Sequence, residues 1–289
     1  MSNHSRKTGS GNDVVRPNAN HTDLVKRARV WERELVPGWE DRIFPGLIEG
    51  LEIPEKGSIL VAECRTGYLP RLLAEHLPPN VRCIAVDPVP EMLDMARSRL
   101  LQEDSQVWWD TRGVENLPYQ RGVFGASICT SGLLTKEDLL SVGPELARVT
   151  RPAGQVALVV PLSRTFAGFY ELFREALRVH ELAHLEPHLD AFMDSLFDEE
   201  SLRVDLAAHG IRDLQMGVES WDVTFASGEA FLMSAEVGLL YLPYWLQIVE
   251  EDAAREKIFF YVRSALDTYF HGLDITMSAH VAWVVGVAR

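Results

Sequence analysis

The stretch Ser58 to Leu100, SILVAECRTGYLPRLLAEHLPPNVRCIAVDPVPEMLDMARSRL, limits the fold more than any other part of the chain. Ile59 to Ala62 is an unbroken apolar run of strand length. Gly67 then allows a tight turn, and Leu69, Leu72, Leu73 and His76 recur at helical spacing. A second apolar run, Cys83 to Val86, ends in Asp87, and a further helical segment follows. Two short buried strands flanking a helix form a right-handed crossover in a parallel sheet, where ligands bind at the carboxyl ends of the strands. Asp87 stands at such an end, placed to take two vicinal hydroxyls.

The remaining pattern extends this unit. A short third strand begins at Gln106 and carries Trp108 and Trp109, and Pro118 to Gly122 reads as a loop. Val123 to Thr130 is the fourth strand, Lys136 to Arg148 a helix, and Gln155 to Pro161 a fifth, central strand. Strands alternating with helices predict an α/β fold with a doubly wound, mostly parallel sheet of seven strands. Further on, Phe166 to His184 and Asp198 to His209 read as helices, the second capped by Asp198 and stopped by Gly210. Ile211 to Phe225, with a bend at Gly217, and Thr276 to Ala288 complete the sheet. Between them Gly228 to Gly272 is a helical insertion dense in large apolar residues, among them Phe231, Leu240, Tyr241, Tyr244, Trp245, Phe259 and Phe260. Such an insertion serves as the wall of a pocket, as a protein-binding or homodimer surface, or as a packing element.

Composition narrows the partners. A net charge of -14 argues against nucleic acid and anionic membranes, which need clustered Lys and Arg. The 47% hydrophobic and 24% charged fractions are those of a globular domain. Cys64, Cys83 and Cys129 fall on or beside strands without metal-like spacing and read as core thiols of a reducing compartment. With no secretory signal or membrane-spanning run in the sequence, the cytoplasm is the expected location. Residues 1–20 are polar and aperiodic and are expected to be a disordered tail. Thr22 and Asp23 can cap a first helix bearing Trp31, and Trp39 opens a second segment; both tryptophans are expected simply to pack against the sheet. The segments expected are thus residues 1–20, 21–50, a core of 51–165, and a C-terminal half of 166–289 with its helical cap at about 228–272.

From about Pro45 to Pro161 the chain resembles the class I S-adenosylmethionine-dependent methyltransferases of the small-molecule type. The family pattern is a strand ending in an acid, then D-V-G-C-G-T-G, D-x-S-P-x-M-L, L-P-F, F-D and R-V-L-R-P-G-G. This chain has C-R-T-G at Cys64 to Gly67, D-P-V-P-E-M-L at Asp87 to Leu93, N-L-P-Y at Asn116 to Tyr119, F-G at Phe124 and Gly125, and R-V-T-R-P-A-G at Arg148 to Gly154. The resemblance implies S-adenosylmethionine as cofactor, held around Cys64, Thr66, Gly67, Asp87, Pro88, Val114 and Ser131. It assigns no catalytic residue.

The polar positions depart from that pattern. The strand-ending acid is Val61, two of three glycines are Glu63 and Arg65, and two later acids are Gly113 and Gly125. A glycine-lined turn lets backbone approach a cofactor closely, whereas Glu63 and Arg65 bring bulk and charge into that space. Either these two side chains intrude and the cofactor is lost, or they pair and turn outward, or Arg65 takes a cofactor carboxylate. The expectation is a non-catalytic binding, scaffolding or regulatory protein; the alternative is a methyltransferase working on a small acceptor.

Other chemistries find little support. His180, His184 and His188 follow at four-residue spacing, but Pro187 is expected to break the helix before the third, so no metal is expected. No serine has the flanking glycines of a nucleophile elbow, and no phosphate-binding glycine loop occurs.

Overall fold

The computed structural model describes residues 21–100, 106–271 and 273–289. The expected tail therefore lies outside the described residues. Seven strands form one mixed sheet: β1 (Gly57–Ala62), β2 (Val81–Asp87), β3 (Val107–Thr111), β4 (Phe124–Cys129), β5 (Thr150–Pro161), β6 (Ile211–Phe225) and β7 (Ile275–Ala288). Their order is β3-β2-β1-β4-β5-β7-β6, with β7 antiparallel to both β5 and β6 and every other pairing parallel. The doubly wound, seven-stranded architecture expected from the sequence is what the chain adopts. β1, β4 and β5 read as near-continuous apolar runs because both faces of those strands are covered.

Helices α3 (Tyr68–Ala74), α4 (Pro90–Arg99) and α5 (Lys136–Val149) connect the parallel strands. α5 begins in a capping box in which Thr135 and Asp138 satisfy each other's backbone N–H. After β5 come α6 (Ala167–Val179), α7 (Glu186–Ser195) and α8 (Glu199–Ala208). Asp198 caps α8 and Gly210, at φ +80°, ends it, as the sequence predicts. The insertion holds α9 (Gly228–Leu232), a π-helical turn at Val237–Tyr241, α10 (Leu242–Ile248) and α11 (Asp252–Tyr269).

Three expectations are corrected. Residues 21–50 are not two separate helices: α1 (His21–Val30) runs through a π-helical stretch, Trp31–Glu40, into α2 (Asp41–Gly50) with helical dihedrals at both junctions. Pro37 lies inside the π stretch, where its missing N–H is accommodated by wider winding. Second, the irregularity in β6 is not at Gly217. The register shifts between Arg212 and Gln215, where Asp213 takes φ +53°; Gly217 instead makes room for the Trp283 ring, which would stand 2.4 Å from a Cβ there. Third, Pro187 starts α7 rather than breaking a longer helix, so His180, His184 and His188 fall on the end of α6, a short 3₁₀ turn and α7. No group of His, Cys, Asp or Glu able to hold a metal occurs among the described residues. None of the helices described is long and apolar enough to cross a membrane.

The core has two layers, one on each sheet face. One joins Leu35, Ile43 and Leu47 of the N-terminal strap to Ile59, Val61, Phe169, Phe173 and Trp245; the other packs α5 and α8 against Leu60, Val156, Leu158 and Val284. The aromatic residues of the insertion divide: Phe231, Tyr241 and Trp245 are fully buried, with Trp245 stacked on Phe169 of α6 at 3.8 Å, whereas Phe260 and Tyr269 are exposed. The buried three fill the space beneath the cap. A separate cleft of about 750 Å³ opens between the start of α6, the first residues of β7 and the end of α11.

Candidate cofactor crevice

The strand order places a topological switch point between β1 and β4, the position where connections leave in opposite directions and a crevice forms at the carboxyl ends. The turn after β1 occupies it. Glu63, Arg65 and Gly67 take φ of +53°, +51° and +78°, so alternate residues of the turn are left-handed. Those are the three positions at which the family pattern has glycine. The backbone keeps the glycine path although only Gly67 is glycine, and two residues with side chains sit there at roughly 1 to 2 kcal/mol each. At Gly67 no alternative is open, since a Cβ would come within 2.6 Å of the Trp109 ring and 2.7 Å of Ala96.

Alternating left-handed residues throw the Glu63 and Arg65 side chains to one side of the turn, and that side is inward. An Nη2–Oε2 contact of 3.0 Å joins Arg65 to Glu63, and Arg65 Nη1 lies 3.9 Å from Asp87 Oδ2. The pair expected from the sequence thus forms, but it does not turn outward: the Glu63 side chain is 0% exposed and the Arg65 side chain 12%. Ser131 Oγ donates to Glu63 Oε2 at 2.8 Å, and Thr130 Oγ1 donates to the Glu63 carbonyl at 2.8 Å. Asp87 accepts from the backbone N–H groups of Arg65 and Val89, each at 2.9 Å, one on either carboxylate oxygen. Each Asp87 oxygen thus accepts one N–H, and at 0% exposure the carboxylate is covered from solvent.

The N-terminal strap covers the cluster. Trp31 lies over the Arg65 guanidinium at 5.1 Å, and its indole N–H donates to the buried Glu40 at 2.8 Å. Around the rim, Glu32 of the strap meets Arg71 at 3.0 Å and Arg99 at 3.5 Å, His21 meets Glu91 at 2.6 Å, and Tyr68 donates to Asp41. The expectation that Trp31 merely packs against the sheet is therefore corrected: it is the roof of the crevice. Trp39 does pack, edge-on to Trp221 at 5.1 Å.

Burial sets the electrostatics. It lifts Glu40 to about 7, against the hydrogen bond from Trp31 and the pull of Arg65. It lifts Glu63 to about 7 as well, opposed mainly by Arg65. Asp87 is raised by burial too, with Arg65 and the two N–H donors working the other way. Burial disfavours the Arg65 charge, but Glu63 and Asp87 outweigh it and hold the guanidinium above the ordinary arginine value.

Of the residues assigned from the sequence, Cys64, Thr66, Gly67, Asp87 and Ser131 converge on this crevice, all of them buried, and Pro88 follows Asp87 half-buried. Val114 is buried in the other layer, beneath α5. Sequence reasoning missed Trp31 and Glu40 as crevice residues. Their nine-residue separation along one strap gave no periodic signal, because a π stretch sets their relative positions. The Arg65 guanidinium and the buried, N–H-bonded Asp87 thus occupy the place where the resemblance implies S-adenosylmethionine.

Comparison with known proteins agrees with the fold. Residues 59–154 match the methyltransferase domain family model. A demethylmenaquinone methyltransferase of Lactococcus lactis is 31% identical over 103 residues, 35% of this chain and 41% of that protein. The chain thus matches about two fifths of that relative's length. Among solved structures, the YcgJ protein of Bacillus subtilis superposes with a TM-score of 0.53 at 16% identity, covering 85% of this chain and 97% of that one. Phosphoethanolamine N-methyltransferase 2 of Haemonchus contortus, solved with S-adenosyl-L-methionine, gives 0.55 at 14% identity, covering 98% and 61% respectively. Residues 59–154 thus resemble the methyltransferase domain in sequence, and the strand order around them is that of the Rossmann-like methyltransferase fold.

Proposed function

We propose that this chain keeps the methyltransferase fold but closes the cofactor crevice with its own side chains, and that it acts as a binding or regulatory protein instead of a methyl donor enzyme. One observation carries this reading: the Arg65 guanidinium lies between Glu63 and Asp87 beneath Trp31, where the family pattern leaves glycine and open space. Each charge-assisted bond given up to expel it costs about 1.5 to 3 kcal/mol, which weakens cofactor binding by roughly 10- to 150-fold.

A second reading has its own support. The sequence match of residues 59–154 is to methyltransferases, and Thr66, Gly67 and Asp87 stand where the family has them. On that reading the chain methylates a small acceptor, with Gly67 and Asp87 holding S-adenosylmethionine after Arg65 withdraws. The matches with known proteins favour this second reading; the geometry of the crevice favours the first.

Titration calorimetry with S-adenosylmethionine and S-adenosylhomocysteine separates the two. No heat of binding at micromolar protein supports the closed crevice. Micromolar binding that Asp87→Ala abolishes overturns it and establishes a cofactor site. In the triple variant Val61→Asp, Glu63→Gly, Arg65→Gly, cofactor binding is expected to appear, because the turn regains its acid and its glycines.

A further inference from the structure

The cleft between α6, α11 and β7 shares no residue with the crevice. One face of α6 forms its long wall: Gly168, Glu171, Leu172 and Glu175 recur at i, i+3, i+4 and i+7, and all four line it. Leu266 and Met277, almost fully buried, give it an apolar floor, and Tyr269, 77% exposed, brings an aromatic ring to its rim. At about 750 Å³ it has the size of a small-molecule pocket, in which an apolar surface binds and a few polar groups select.

The charges around the cleft do not cancel. Arg164, Arg174 and Arg178 line it, yet each is held by an acid of α7 or α8 that does not: Glu199 meets Arg164 at 2.7 Å, Asp190 meets Arg174 at 2.8 Å and Glu186 meets Arg178 at 2.8 Å. His280 adds no charge at neutral pH, because burial and the nearby Arg164 hold its imidazole below the ordinary histidine value. The α11 and β7 walls bring no further charged side chain. Three arginines against three carboxylates leave Glu171 and Glu175 as the surplus. Both are exposed; Glu175 accepts from the neutral Tyr261 hydroxyl at 2.9 Å, and Glu171 enters no hydrogen bond or ion pair among the described residues. Two carboxylates one helical turn apart, above an apolar floor and beside an exposed aromatic ring, complement an organic cation with an apolar body.

We propose that this cleft binds a small amphipathic amine, with its ammonium group at Glu171 and Glu175 and its apolar body along Leu172, Leu266 and Met277 against the Tyr269 ring. The site lies outside the crevice and does not depend on how the crevice is read.

The test uses three probes that differ only in the head group: 4-phenylbutylamine, 4-phenyl-1-butanol and 4-phenylbutyrate. Each is titrated into the full chain at low ionic strength, and heat of binding and melting temperature are followed. The amine is expected to bind with a low-millimolar dissociation constant, as its size allows, and at least about fivefold more tightly than the alcohol, with the butyrate weakest. Added salt should shrink the preference. In the double variant Glu171→Gln, Glu175→Gln the amine and the alcohol should bind within about twofold of each other, because the apolar contacts remain and the charges are gone. A Cβ at Gly168 meets nothing within 4 Å, so Gly168→Phe is expected to fold, to place its ring in the cleft and to weaken the amine at least about tenfold. Should that variant not melt cooperatively, the glutamine variant, altered only at exposed positions, carries the test. Equal binding of amine and alcohol, a preference for the butyrate, a preference that survives both glutamines, unchanged binding to a folded Gly168→Phe, or no binding of any probe at millimolar concentration overturns the proposal. None of these readouts involves S-adenosylmethionine, so a positive cofactor titration would refute the closed crevice and leave the amine site standing.

Discussion

Gly67 and its two neighbours at alternate positions show how much one residue's φ can decide. A Cβ at Gly67 meets Trp109 and Ala96 below 3 Å and must also adopt φ +78°. Gly67→Ala is therefore expected to cost roughly 2 to 4 kcal/mol, from overpacking and left-handed strain together, and a thermal or urea melt reads it. At Glu63 and Arg65 the backbone has the same hand but room for side chains, so the chain tolerates them; what it acquires is a buried ion pair in place of a hollow. Residue identity alone placed a glycine at one left-handed position. The other two are legible only by analogy with a glycine pattern, because acidic and basic residues carry no local preference for that conformation.

At the scale of elements, the decisive contacts are between pieces distant in sequence. The strap of residues 21–50 roofs the crevice through Trp31 and Glu40, while the insertion docks onto α6 through Trp245 and Phe169. Its hydrogen bond from Tyr244 Oη to the Leu133 carbonyl ties it to the loop after β4. Trp245→Ala removes a wholly buried ring and its stacking partner's contact, with an expected loss of about 3 to 5 kcal/mol in equilibrium unfolding. Were the insertion only loosely docked, the loss would stay below about 1 kcal/mol. The helical, apolar character of this insertion is plain in the sequence. That Phe231 and Trp245 would pack inward on α6 while Tyr269 and Phe270 line the cleft is not, since the partner surface is supplied by another element.

For the whole molecule, the buried carboxyls leave a pH signature. Glu40 is held near 7 in the folded chain by burial and returns to about 4.5 when exposed, so the native state binds the proton more tightly. Its contribution is greatest below about pH 4.5, is lost as pH rises through 7, and is flat above. Glu40→Gln keeps an acceptor for the Trp31 N–H and removes the titration. The variant should gain up to roughly 3 kcal/mol relative to wild type at pH 8 and nothing at pH 4, read from melts across that range. A wild-type profile that rises from pH 5 to 8 in parallel with the variant's would show Glu40 to be ionised without penalty.

What the sequence determined by itself is the sheet: apolar runs of strand length alternating with helical periods admit few topologies, and Gly67, Gly210, Asp198 and Asp87 mark turns, caps and a strand end through local chemistry. What only the tertiary structure decided is the state of the crevice. Whether Glu63 and Arg65 face water or one another depends on the strap that covers them, and the cost of a charge is fixed by the burial around it. Burial is a property of the assembled layers, which no window of sequence contains.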